Sequence, residues 1–196
     1  YHKAFNTGGE EALRAAQRLI AEFAQGKVSK ALNYQPGNPA YKRVWDDLIQ
    51  AAEEYNDPGV FTTFIAFEWT SLVSGNNLHR VMMFRDGSER VRQVVPFSAF
   101  DSEDPEDLWN YLQAYEDKTG GRTMAFAHNG NWGTGLMFAL ERMNGKRMNR
   151  EYASKRARWE PIYEATQIKG DSEAHPLLSP NDEFADFGTW DRGDVG

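Results

Sequence analysis

The chain contains no cysteine. Disulfides and thiolate metal sites are therefore excluded, and a metal would have to be held by histidine, carboxylate or backbone oxygen. Histidine itself is scarce, with four in 196 residues. No apolar run approaches the ~18–20 residues needed to cross a bilayer, so no membrane partner is expected, and no signal-peptide pattern is visible. Basic residues are outnumbered, 22 Lys and Arg against 29 Asp and Glu, for a formal charge of -7. That balance argues against a nucleic-acid partner, whose binding surfaces are basic. It suits an ordinary soluble surface, and equally a set of carboxylates offset by divalent cations. The chain also lacks G-x-S-x-G, P-loop and G-x-G-x-x-G motifs, which speaks against serine-hydrolase, phosphate-loop and dinucleotide-binding readings. The glycine-rich run at 130–135 (GNWGTG) has no Lys-Ser/Thr after it, so it does not make a phosphate loop.

What is present is globular. Hydrophobic residues make up 40% and charged residues 26% of the chain, without repeats or low-complexity tracts. This is enough for one domain with a core, spanning 1–196. The chain starts at Tyr1 and ends in the polar stretch TWDRGDVG. Both ends look cut, so it is read as a fragment of a longer protein whose compartment is unknown.

Leu13, Ala16, Leu19, Ile20 and Phe23 recur at helical spacing, predicting a helix over Glu10–Gln25 closed by Gly26. A turn cluster at Asn33–Pro39 leads to a second helix, Pro39–Tyr55, with Trp45, Leu48, Ile49 and Ala52 on one face. NDPG at 56–59 stops it. Val60–Phe67 and Leu78–Arg85 read as buried strands. The link between them, about ten residues, is too short for a helical crossover, so these two should be antiparallel or irregularly joined. Val91–Val95 suggests a short extra strand. Ser102 or Asp104 caps a third helix, Pro105 fits its first turn and Gly120–Gly121 ends it. Strand Thr123–Ala127, helix Asn149–Trp159 and strand Pro161–Ile168 follow. Strands alternating with helices indicate an α/β fold with a mostly parallel sheet.

Polar groups gather where the strands end. Glu68 closes an apolar run, which favours its burial and hence a cation or strong donors beside it. His79 stands near the start of the next strand, His128 directly follows Ala127, and His175 lies in a loop after a strand. His2 sits in a loose terminus and is expected to be solvated. Three strand-end histidines with one glutamate point to a divalent metal site, and the nitrogen and oxygen donors suit Zn, Mn or Fe. Lys169, beside Asp171 and Glu173, suits a salt bridge as well as a metal-bridging or phosphate-contacting role. Asn129 and Asn131 suit left-handed turn conformations as well as substrate positioning.

The strings FTTFIAFEWTS, NLHRVMMFRD, VVPFSAFDSEDPEDLW, AHNGN and IKGDSEAHPLLSP together resemble a bacterial domain-of-unknown-function family within the PHP-like (polymerase and histidinol phosphatase) superfamily, from about Tyr41 onward. The resemblance implies a distorted TIM-like (βα)7 barrel with a di- or trinuclear metal centre at the strand ends. Glu68 in AFE would match the bridging carboxylate, His79 in NLHR and His128 in AHN would match metal ligands, and Glu164 would face the interior. Asn129 departs from the superfamily's Ala-His-Pro. The His-x-His, Asp-His and Asp-x-His motifs of the outer strands are missing, so this chain would be the middle of the barrel, without its first and last strands. The implied activity is a metal-dependent hydrolase, a phosphoesterase acting on a small molecule through a metal-activated water, with Lys169 and His175 as catalytic candidates. Two alternatives remain open: an amidohydrolase-like C–N hydrolase with Lys169 carboxylated, or a non-catalytic binding module. Exposed barrel edges would favour a homodimer.

Overall fold

In the computed structural model of the chain, residues 1–25, 27–28, 36–172 and 174–186 are described. Gly26, Asn33, Glu173 and the TWDRGDVG stretch fall outside them. The chain divides into two compact units, Tyr1–Gln35 and Pro36–Gly196. In the first, α1 (His2–Thr7) and α2 (Gly9–Ala24) meet at Gly8 and Gly9, whose positive φ angles of 76° and 57° suit residues without a Cβ. The expected helix is therefore present. Its apolar stripe, however, is open, with Leu13 and Ile20 exposed.

The second unit begins with α3 (Pro39–Tyr55). Asn38 caps it by accepting from the Ala40 N–H at 2.9 Å, Pro39 takes the first turn, and Trp45 and Ile49 are buried. The strand expected from Val60 starts five residues late: β1 is Ile65–Trp69. Asp57 pairs with Phe61 in an isolated bridge, and the Thr63 hydroxyl donates to the Ala52 carbonyl at 2.6 Å. These contacts fold 57–63 back onto the end of α3, leaving Val60 and Phe61 exposed.

Between β1 and β4 (Arg80–Phe84) the chain makes a tight hairpin, β2 (Leu72–Val73) with β3 (Asn76–Asn77). Its two-residue loop, Ser74–Gly75, has φ of 53° and 84°. Positive φ at both positions is the geometry that matches strand twist in such loops. β1 and β4 are antiparallel, as the short link requires, with Glu68 opposite Val81 and Trp69 opposite Arg80. β4 is also antiparallel to β5 (Thr123–Ala127), and β5 is parallel to β6 (Ile162–Tyr163).

The order β1-β4-β5-β6 is thus a mixed four-stranded sheet, joined by the β2–β3 ribbon and a second ribbon of β7 (Thr166–Gln167) and β8 (Gly170–Asp171). This corrects the barrel. A (βα)7 barrel needs every strand parallel to its neighbours, with a helical crossover between each pair. Among the described residues there is one parallel pairing and no closed barrel. The single strand expected at Pro161–Ile168 is likewise split. After Tyr163 the chain leaves the sheet and turns back on itself, with Gly170 at φ 117°. The expected strand at Val91–Val95 is instead the end of a short helix, α4 (Ser88–Val91), and a turn. Val91 is drawn wholly into the core there.

Helix α5 (Pro105–Thr119) carries the punctuation the sequence announces, and α6 (Arg150–Trp159) has a cap of the same kind. The Asp104 carboxylate accepts from Glu106 N–H, Gly120 ends α5 in the left-handed region, and Asn149 accepts from Tyr152 N–H at 2.8 Å. With α3 they cover one sheet face. Strand alternation turns Ile65 and Trp69, Arg80, Met82 and Phe84, and Thr123, Ala125 and Ala127 toward them. One core cluster joins Trp69 and Met82 to Leu108, Trp109, Leu112 and Trp159; the other joins Ile65 and Phe84 to Trp45, Ile49, Val91 and Tyr115.

Candidate metal centre

The residues on the opposite sheet face include the site. Alternation by two carries Ala66 to Glu68, Val81 back to His79, and Phe126 on to His128, so all three polar residues share one face. Antiparallel pairing places them at one end. The close of β1, the approach to β4 and the exit of β5 coincide there, and the ladder continued one step puts His79 opposite His128. The His128 N–H donates to the His79 carbonyl at 3.4 Å.

Glu68 Oε1 lies 2.8 Å from His79 Nδ1 and 3.2 Å from His128 Nε2. The three ligand atoms are all within 4.8 Å of one another. The imidazole rings meet edge to face, centroids 5.7 Å apart. Ligand atoms held ~2.0–2.1 Å from a tetrahedral ion stand about 3.3 Å apart, close to the two Glu68–histidine spacings, and a cation among the three would set the spacing of the two imidazole nitrogens. Hydrogen bonds from His128 and then His79 hold the Glu68 carboxyl well below the usual carboxylate range, against the opposing effect of its burial. The outer nitrogens, His79 Nε2 and His128 Nδ1, are buried without a hydrogen-bond partner in the structure. The inner nitrogens therefore carry the protons donated to Glu68, an assignment that follows from the bonding pattern.

Several expectations need correction. Glu68 is not buried: its side chain is 45% accessible, because strand alternation gives the helix-covered face to Ile65, Phe67 and Trp69 and turns Glu68 to the other. Lys169 is not joined to the trio by any hydrogen bond or ion pair among the described residues. Its ammonium lies over the Trp132 ring, 5.4 Å from the centroid, and its carbonyl accepts from Asn131 Nδ2 at 3.0 Å. His175 Nδ1 accepts from Leu177 N–H at 3.2 Å and heads the turn at 175–179. Both residues follow the point at which the chain leaves the sheet after Tyr163. His2 is exposed in α1, as expected. Glu164 accepts from the Asn129 N–H at 3.1 Å and from Gln167 Nε2 at 2.9 Å, so it braces the loop after His128. Asn129 adopts φ 51°, ψ 43°, the left-handed turn its type permits; it is wholly buried, and its side-chain amide has no hydrogen-bond partner in the structure.

One arrangement was missed from the sequence altogether. On the helix side, directly behind His79, Arg80 is completely buried and bonds Glu160 Oε1 at 2.9 Å, while Glu160 is 3% accessible. Trp109 Nε1 donates to the same oxygen at 2.9 Å, and Arg156 Nε to Glu160 Oε2 at 3.2 Å. The signal was available: Arg80, Met82 and Phe84 share one parity of an apolar strand, so an arginine there must find a buried partner. Burial alone would raise the Glu160 carboxyl, but the Arg80 and Arg156 guanidiniums and the N–H groups of Arg80 and Trp109 outweigh it and hold the carboxyl low. A carboxylate whose folded pKa lies below its unfolded value stabilises the fold fully above the unfolded value, and the contribution is lost as pH falls through the folded one. Thermal midpoints are therefore expected to drop as pH falls below about 4.5, with a flatter acid limb in Glu160→Gln. Parallel acid limbs in both proteins would contradict this.

No curated protein and no solved structure matches the chain. The family model described as "Protein of unknown function (DUF3604)" matches residues 1–195, and the chain belongs to that family.

Proposed function

We propose that Glu68, His79 and His128 hold a divalent cation and that the chain is part of a metal-dependent hydrolase acting on a small phosphoester. The observation that carries this reading is the convergence of three ligand atoms within 4.8 Å from three different strand ends. A cation there would polarise a phosphoryl oxygen and lower the pKa of a water toward neutrality. Nitrogen and oxygen donors suit Zn, Mn or Fe. Glu68, half open to solvent, supplies the anionic ligand and the path by which a substrate oxygen reaches the site. His79 and His128 are mostly shielded and fix the inner wall. The phosphoester class rests on the resemblance of AFE, NLHR and AHN to PHP-like motifs. The C–N hydrolase reading would need a carboxylated Lys169, whose ammonium lies over the Trp132 ring here.

Calorimetric titration with zinc and manganese tests the proposal. The unaltered chain should bind one equivalent, and Glu68→Gln, His79→Ala and His128→Ala should each weaken binding by more than about 100-fold, since loss of a ligand exceeds the 10–100-fold typical of its supporting shell. Equal metal uptake by all four proteins would sink the reading. Hydrolysis of p-nitrophenyl phosphomonoesters and diesters against anilide amides then separates the two substrate classes.

A further inference from the structure

His79 stands just outside β4, which begins at Arg80. Just beyond the strand's end the backbone is held by single bonds, Leu78 N–H to the Ser71 carbonyl at 3.0 Å and His128 N–H to the His79 carbonyl at 3.4 Å, the second long for such a bond. A metal ligand in such a place needs another constraint. Resting on the metal reading above, we propose that the buried Arg80–Glu160 pair is that constraint, and that Arg80 is a positioning residue for His79.

The pair is anomalous as a source of stability. Trp69, Met82 and Trp109 around it are wholly buried, and Arg156 adds a second cation at Glu160 Oε2. A buried ion pair in such a setting is commonly no more stabilising than well-packed apolar side chains of similar volume. What it adds is direction. The Arg80 guanidinium donates to the carbonyl of Leu78, on the far side of His79, and to the Met137 carbonyl at 3.4 Å, while Glu160 anchors its Nε. The segment 78–80 is thereby clamped from the helix face, and Asn77 Oδ1 adds a bond from the His79 N–H at 3.0 Å. Because Arg80 and His79 point to opposite faces, the clamp steadies the imidazole without touching it. The planar, multi-donor guanidinium can hold a carbonyl and a carboxylate together, which an ammonium or an apolar chain cannot.

The test is a charge-neutral double variant, Arg80→Met with Glu160→Gln, compared with the unaltered chain by zinc titration and by 15N spectra of the imidazole rings in the metal-free protein. The double variant should fold, bind zinc about 10–100-fold more weakly, and show several or broadened His79 ring signals while those of His128 stay sharp. A folded double variant with unchanged zinc affinity and one sharp His79 set would overturn the positioning role and leave the metal centre standing. If the unaltered chain takes up no zinc, the metal centre fails, and the His79 spectra alone decide the positioning role. Should the double variant not fold, Arg80→Lys, which keeps the charge but loses the fork, carries the same two readouts. One sharp His79 set and unchanged affinity in it would overturn the proposal.

Discussion

Replacing Arg80 alone by alanine is expected to cost about 3–5 kcal/mol of folding stability, the range for removing one partner of a buried ion pair. Glu160 would remain, 3% accessible, with Arg156 and Trp109 as its donors and no counter-charge at its first oxygen. The carbonyls of Leu78 and Met137 would each lose a donor as well. Urea unfolding measures the loss directly. Adding Glu160→Gln should recover part of it, because the stranded charge is gone, and the recovery gives the coupling of the two residues. A loss below about 1 kcal/mol for Arg80→Ala would mean that the pair is solvated and the buried network misdescribed.

Trp109→Ala should be as damaging, at about 3–5 kcal/mol, through the cavity left by a wholly buried indole. Its ring packs 5.2 Å from Tyr152, centroid to centroid, on the axis where α5, α6 and the sheet meet, and its Nε1 donates to Glu160. Trp109 and Arg80 share Glu160, so their effects should not add, and the double variant should lose less than the sum. Trp45 provides the control. It is buried in the other cluster and donates to the Val94 carbonyl, so Trp45→Ala should add to Arg80→Ala. Additivity of Trp109→Ala with Arg80→Ala as well would deny the shared network.

Local signals were legible. The cap Asp104, Pro105 at the first turn and the left-handed Gly120 act within one turn of helix, and α5 falls where they direct. The sequence-based strands at Leu78–Arg85 and Thr123–Ala127 match β4 and β5 closely, since each is a compact apolar run. Glu68, His79 and His128 could be picked out as one candidate group because each borders such a run and the chain offers few histidines and no cysteine. Val60–Ile65 misled, because β-favouring residue types carry no information about where a ladder begins. The Asp57–Phe61 bridge, set by the turn after α3, decided that.

Residue types and short-range punctuation thus determined the helices, two of the strands and the chemistry of the candidate ligands. Only the tertiary structure decided that the sheet of the described residues is mixed and open, that Glu68 is half exposed, and that Arg80 pairs with a residue 80 positions away. The physical reason is the range of the forces involved. A cap or a tight turn is settled by hydrogen bonds between near neighbours, whereas strand order and the pairing of a buried charge depend on which distant segments reach the same apolar core.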